Sequence, residues 1–84
     1  MPGVTMTRPE PVSVNEAAAR LGKAPRTIYS WATRYRVRKW SGPDGVLYDY
    51  ADLATIEACI HRGQTVPATP EARDALRASY SAAA

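Results

Sequence analysis

The sequence predicts a mainly α fold with a small β-hairpin and a short C-terminal helix. Three observations predict it. Apolar residues recur at helical spacing behind Ser13 and again behind Pro25, a Pro43-Asp44-Gly45 turn separates two β-prone runs, and Thr69-Pro70-Glu71 starts a further helix. At 84 residues the chain has room for one small domain, which buries too little surface to shape a deep catalytic cavity, so an enzyme is not expected. Much of the 45% hydrophobic content is alanine, so the larger side chains must do most of the packing.

Residues 1–12 carry Pro2, Pro9 and Pro11 and no apolar periodicity, and are expected to be a flexible arm that is neither anchor nor signal peptide. Ser13 with Glu16 three positions later is a capping-box pattern, and Val14, Ala17, Ala18 and Leu21 follow at helical spacing up to Gly22. Lys23 and Ala24 make a tight connection to a second helix over 25–35, which Pro25 suits because its missing N–H would be unpaired there in any case. In that helix Ile28, Trp31, Ala32 and Tyr35 form the packing stripe, leaving Arg26, Thr27, Tyr29, Ser30, Thr33 and Arg34 on the other faces.

The runs 36–40 and 46–48 flank Ser41 to Gly45 and predict a hairpin, since Pro43 presets its φ and Gly45 accepts a positive one. Asp49 caps a third helix with Leu53, Ile56 and Ile60 as its stripe, ending near Gly63. The first domain therefore spans 13–63. Residues 64–69 are expected to be a linker, 70–80 a helix with Ala72, Leu76 and Tyr80 on one stripe, and 81–84 a disordered tail. Trp40 and Tyr48 are expected to pack inward, and Cys59 to be a small half-buried apolar residue. A cap and a first-turn acid explain Asp49 and Asp52 without catalysis. Cys59 and His61 each stand alone, so neither a disulfide framework nor zinc-ligand spacing is present, and no metal or other cofactor is expected. No apolar stretch reaches the roughly 18 residues of a spanning helix, which argues against a membrane partner.

The charge is polarised. Between Glu16 and Asp44 there is no acid, yet seven of the 11 basic residues fall there: Arg20, Lys23, Arg26, Arg34, Arg36, Arg38 and Lys39. The net charge of +3 hides a concentrated positive field, which suits a polyanion. Two short helices joined by a glycine-containing turn, with the second exposing Arg, Thr, Tyr and Ser and a hairpin behind it, form the pattern of a winged helix-turn-helix.

The stretch SVNEAAARLGKAPRTIYSWATRY, then a basic hairpin, then LYDYADL, resembles the MerR-like winged-helix domains, among them the small excisionases of phages and mobile elements and regulators of the BldC type. The resemblance covers roughly 12–62 and rests on Glu16 to Ala18, Leu21-Gly22, Pro25 to Trp31, Tyr48 and Asp52-Leu53. It implies that the helix over 25–35 enters the major groove of double-stranded DNA, with Arg26, Thr27, Tyr29, Ser30 and Arg34 facing it and Thr33 on the same exposed side. Arg26 is the candidate for a bidentate guanine contact. Arg36, Arg38 and Lys39 would meet phosphates from the first wing strand, and Lys23 and Arg20 belong to the flanking clamp. The chain departs from the pattern at Ala24, where such domains usually hold a capping Ser or Thr, and at Val46 and Leu47, where many hold wing arginines.

Together these features imply a small transcription regulator or an excisionase-like recombination factor of a phage or mobile element, cytoplasmic in a bacterium and nucleoid-associated when bound. The short last helix carries no heptads and does not predict a coiled-coil dimer. Cooperative self-association on adjacent sites, and an integrase or another protein as partner, are both compatible with the resemblance. The alternative is an accessory interaction module whose basic face docks on an acidic protein.

Overall fold

The computed structural model describes residues 10–83, with side chains described through Tyr80. In chain order it contains β1 (Pro11–Val12), α1 (Val14–Leu21), α2 (Pro25–Arg34), β2 (Lys39–Gly42), β3 (Gly45–Asp49), α3 (Tyr50–His61) and α4 (Pro70–Ala83). The domain is mainly helical with a small antiparallel sheet of order β1-β3-β2. Val12, Val14, Ala17, Ile28, Trp31, Val37, Tyr48, Leu53 and Ile56 are all buried in one core that the sheet and the first three helices share.

The expected arm at 1–12 is corrected at its end, while residues 1–9 lie outside the described residues. Pro11 pairs with Asp49 and Val12 with Tyr48, and Val12 is buried. The backbone of Glu10 anchors this strand: its N–H donates to Asp49 Oδ1 at 3.2 Å and its carbonyl accepts from Tyr50 N–H at 2.9 Å. Two residues show no periodicity of their own, and proline is tolerated there because an edge strand has one side without a ladder.

Ser13 caps α1 as its position predicts, with Oγ accepting from Glu16 N–H at 3.0 Å. The Glu16 carboxylate turns to Arg20 at 2.7 Å instead of reaching back, so only half of the capping box forms. Gly22, at φ 66°, ends the helix in a left-handed conformation that an L side chain rarely adopts. Ala24 then caps α2 without a side-chain hydrogen bond, and Pro25 opens it. The helix stops at Arg34, one residue before its expected end. Tyr35 N–H closes on Trp31 O at 2.9 Å, Val37 N–H closes on Ala32 O at 3.1 Å, and Arg36 sits between them at φ 52°. The Val37 bond is the wide 6→1 closure of a left-handed helix end, with Val37 buried and an arginine where glycine is usual.

The hairpin is tighter than 36–40 and 46–48 would make it. Its ladder starts at Lys39 opposite Tyr48 and continues to Gly42 opposite Gly45, which leaves only Pro43 and Asp44 as the loop. A side chain at Gly42 would put its Cβ 3.0 Å from the Gly45 carbonyl oxygen and 3.1 Å from Leu47, a tight fit that Leu47 or the turn would have to give way to by a few tenths of an ångström. Tyr48 packs inward as expected, but Trp40 is 37% exposed. Strand alternation explains the difference: Trp40 pairs with Leu47, the neighbour of Tyr48, and so lies on the opposite face from the core.

Asp49 caps α3 by accepting from Ala51 N–H at 3.2 Å. Leu53 and Ile56 are fully buried, but the third member of the expected stripe is not: Ile60 is exposed and Cys59 is buried in its stead. Spacings of three residues, from Leu53 to Ile56 to Cys59, carry the buried face along this helix. Val66 of the expected linker packs half-buried against the core.

The last helix extends through Ala83, past the expected 70–80 and into the residues expected to be a disordered tail; residue 84 lies outside the described ones. It folds back on α3. Its expected apolar stripe does not dock it, because Ala72 and Tyr80 are exposed and Leu76 is only half-buried. Arg73 docks it instead. This arginine is fully buried, with Nε donating to Asp52 Oδ1 at 3.2 Å, Nη1 to the Pro67 carbonyl at 2.9 Å and Nη2 to the Arg36 carbonyl at 3.4 Å. Asp52 is equally buried, and its Oδ2 accepts from Arg38 N–H at 3.2 Å.

Removing one partner of such a pair strands a buried charge, which costs about 3–5 kcal/mol. Asp52→Ala is therefore expected to lower the urea midpoint by an amount equivalent to about 3–5 kcal/mol, a large share of the stability of a small domain. An unchanged midpoint at constant slope would contradict this role.

Candidate nucleic-acid interface

The i, i+3, i+4 spacing that buries Ile28 and Trp31 turns the rest of α2 outward. Arg26, Tyr29, Ser30, Thr33 and Arg34 are exposed and Thr27 is half-buried. Tyr29 is 53% exposed, which is high for so large an aromatic residue. It borders two shallow depressions. One, of about 420 Å³, lies between α2 and the hairpin and gathers Tyr29, Thr33, Arg36, Lys39 and Tyr48. The other, of about 280 Å³, brings Tyr29 together with Ser13, Asn15, Asp44 and Val46 at the start of α1 and the hairpin tip. Residues distant in sequence thus meet around the exposed face of one helix. Asn15 was not among the residues expected there; its only sequence signal is a polar side chain in the first turn of α1.

The seven cations of the acid-free segment divide into two groups. Among the described residues, Lys23, Arg26, Arg34, Arg36 and Lys39 form no salt bridge, while Arg20 and Arg38 each meet several carboxylates. Arg20 lies 2.7 Å from both Glu10 and Glu16, and its guanidinium stacks 4.8 Å from the centre of the Tyr50 ring. Those hydrogen bonds, first to Glu10 and then to Glu16, raise its pKa further above the ordinary value. Its expected place in a flanking clamp therefore competes with an internal partnership.

Arg38 is more deeply engaged. It precedes β2 instead of lying in the strand, and its guanidinium grips Asp74 of α4 in a two-pronged contact of 3.1 and 2.7 Å. Asp49 Oδ2 and Asp52 Oδ1 each lie 3.6 Å from Nη1. Arg77 completes the group: it donates to Thr55 Oγ1 at 2.9 Å, to the Ala51 carbonyl at 3.3 Å and, through Nη2, to Asp74. The hydrogen bond to Asp74 is the largest influence holding the Arg38 pKa above its usual value, and the same bond holds the Asp74 carboxyl below its own. Asp52, expected to be a first-turn acid, is the hub of this group, a role that only the folding-back of α4 creates.

No protein-family model, curated protein or solved structure matches this chain. Among the described residues no helix is long and apolar enough to cross a membrane.

The Asp74 shift has a defined sign. A carboxyl whose folded pKa lies below its unfolded value of 3.8 adds stability that is fully present above that pH and is lost as pH falls through the folded pKa. Acid titration of stability below about pH 4 should thus be shallower in Asp74→Asn than in the parent chain. Coincident acid limbs in the two proteins would show that the Arg38 contact adds nothing.

Proposed function

We propose that the chain is a winged helix-turn-helix protein that binds double-stranded DNA, with α2 as the recognition helix in the major groove and the β2–β3 hairpin as the wing. The observation that carries this reading is the group of five cations that form no salt bridge among the described residues: Lys23 on the turn before α2, Arg26 and Arg34 on α2, Arg36 on the segment leading into the hairpin and Lys39 at the start of β2. A protein placing cations along a phosphate backbone needs them exposed, unpaired and spread on both sides of the element that reads base edges. The three-residue connection between α1 and α2 and the hairpin that follows α2 fit that reading, as does the sequence resemblance to MerR-like domains.

Within it, Arg26 in the first turn of α2 reads a base edge, where a bidentate guanidinium contact to guanine has the right reach. Thr27, Ser30 and Thr33 bond phosphate or base edges, and Tyr29 packs on sugar or a thymine methyl. Ala24 leaves the start of α2 without a side-chain acceptor, a place that a phosphate oxygen fills. Lys23, Arg34, Arg36 and Lys39 are backbone contacts. Asp44 at the hairpin tip limits how closely the wing approaches DNA. A protein of this kind serves as a small transcription regulator or as an excisionase-like architectural factor.

Salt dependence tests the reading directly. With about five phosphates neutralised, log K for duplex DNA should fall against log salt with a slope of roughly −4 to −5. Lys39→Ala should make that slope shallower by about 0.9 and weaken all sequences alike, whereas Arg26→Ala should cost roughly 1–3 kcal/mol of discrimination at one base pair. Failure to retard any duplex at low salt would overturn the proposal in favour of an acidic protein partner for the same face.

A further inference from the structure

Arg38 sits in the acid-free run between Arg36 and Lys39, two cations that form no salt bridge among the described residues, yet its own guanidinium is held by a carboxylate from the far end of the chain. The contact is two-pronged, 3.1 and 2.7 Å, the geometry in which arginine also grips a phosphate. It is not sealed from solvent: the side chains of Arg38 and Asp74 are 29% and 42% exposed. A pair this exposed stays within reach of a competing anion and is screened by salt. By contrast, the neighbouring Arg73 and Asp52 are fully buried, and Arg73 has two carbonyl acceptors besides the carboxylate. The docking of α4 therefore does not depend on the Arg38 contact.

We infer that Asp74 and a DNA phosphate are alternative partners for Arg38, so that α4 masks one cation of the DNA-binding segment. The inference rests on the proposed DNA-binding function and adds a regulatory contact to it. While Asp74 holds the guanidinium, the acid-free segment meets DNA with the five of its cations that form no salt bridge among the described residues. When a phosphate takes the guanidinium, Asp74 keeps Arg77 as its partner and Arg73 keeps α4 in place. The exchange swaps one charge-assisted bidentate contact for another; Asp52 keeps Arg73, and Asp49, whose Oδ2 lies 3.6 Å from Arg38 Nη1, keeps the backbone N–H groups of Glu10 and Ala51 on its Oδ1. The acid-free segment is acid-free in sequence alone; in three dimensions Asp74 of α4 joins Asp49 and Asp52 around Arg38.

The test compares duplex binding by the full-length chain and its Asp74→Asn variant across a salt series. The variant should bind roughly threefold to tenfold more tightly near physiological salt, with a slope steeper by about 0.9, the signature of one added phosphate contact. Glu71→Gln removes an exposed acid from the same helix and should leave both quantities near the parent values. In an Arg38→Ala background the gain from Asp74→Asn should vanish. Equal gains from Asp74→Asn and Glu71→Gln, or a gain that survives Arg38→Ala, would overturn the mask, because either result reduces it to a general field effect. The unmutated protein supplies a second measurement that does not depend on the variants folding. The Arg38 side-chain nitrogen resonances should shift on adding duplex, and resonances that stay in place while those of Arg26 move would equally overturn it. If Arg26→Ala and Lys39→Ala weaken duplex binding while Asp74→Asn changes nothing, the mask fails and the DNA reading stands; if no duplex binds at all, both fail.

Discussion

The buried contact between Arg73 and Asp52 is the constraint on which the arrangement of this small domain depends. One guanidinium reaches an acid in the first turn of α3, the Pro67 carbonyl ahead of α4 and the Arg36 carbonyl at the end of α2. Four stretches of chain are thereby set relative to one another by hydrogen bonds whose directions are fixed by a planar group. Two unpaired charges in that position would be severely destabilising, and the pair is tolerated because both are fully provided for. Among the described residues no buried side-chain polar atom lacks a partner. The consequence is positional: by holding the Arg36 carbonyl, the pair fixes the segment joining α2 to the hairpin, and with it the spacing between the two surfaces proposed to meet DNA.

The same network accounts for an unusual way of attaching a helix. A C-terminal helix commonly docks through an apolar stripe, but among its described side chains α4 contributes no buried apolar one, and the buried residue there is an arginine. Hydrophobic contact is non-directional and tolerates sliding, whereas a guanidinium bonded on three sides fixes register along the helix axis. Asp74 and Arg77, one residue and one turn further on, extend the attachment toward Arg38 and Thr55. The result is a helix set by direction more than by area.

Much of this architecture was legible from local signals. Ser13, Gly22, Pro25, Asp49 and the Pro43-Asp44 turn each act within a few residues of where they stand, and each marks a boundary that the structure keeps. What escaped the sequence depends on pairing at a distance. Two residues of β1 become a strand only because Tyr48 and Asp49 lie beside them. Cys59 displaces Ile60 from the core because neighbouring elements decide which of two adjacent apolar residues faces inward. The candidate site divides in the same way. The helical stripe of α2 foretold which side chains would point outward, but a count of basic residues could not tell Arg38, facing an acid 36 positions away, from Lys39, which pairs with none among the described residues.

Arg36 ties the backbone to the surface in one further respect. Its φ of 52° is a conformation that side-chain-bearing L-residues avoid at a cost of roughly 1–2 kcal/mol, and a glycine would adopt it freely. The position therefore sets two demands against each other, since the residue that would most relax the end of α2 is also one that would delete a cation from the cleft beside Tyr29. A chain optimised for thermal endurance alone would carry glycine there. Keeping arginine makes this corner a point of local frustration, and a screen for heat-resistant variants that is blind to ligand would be drawn to it first.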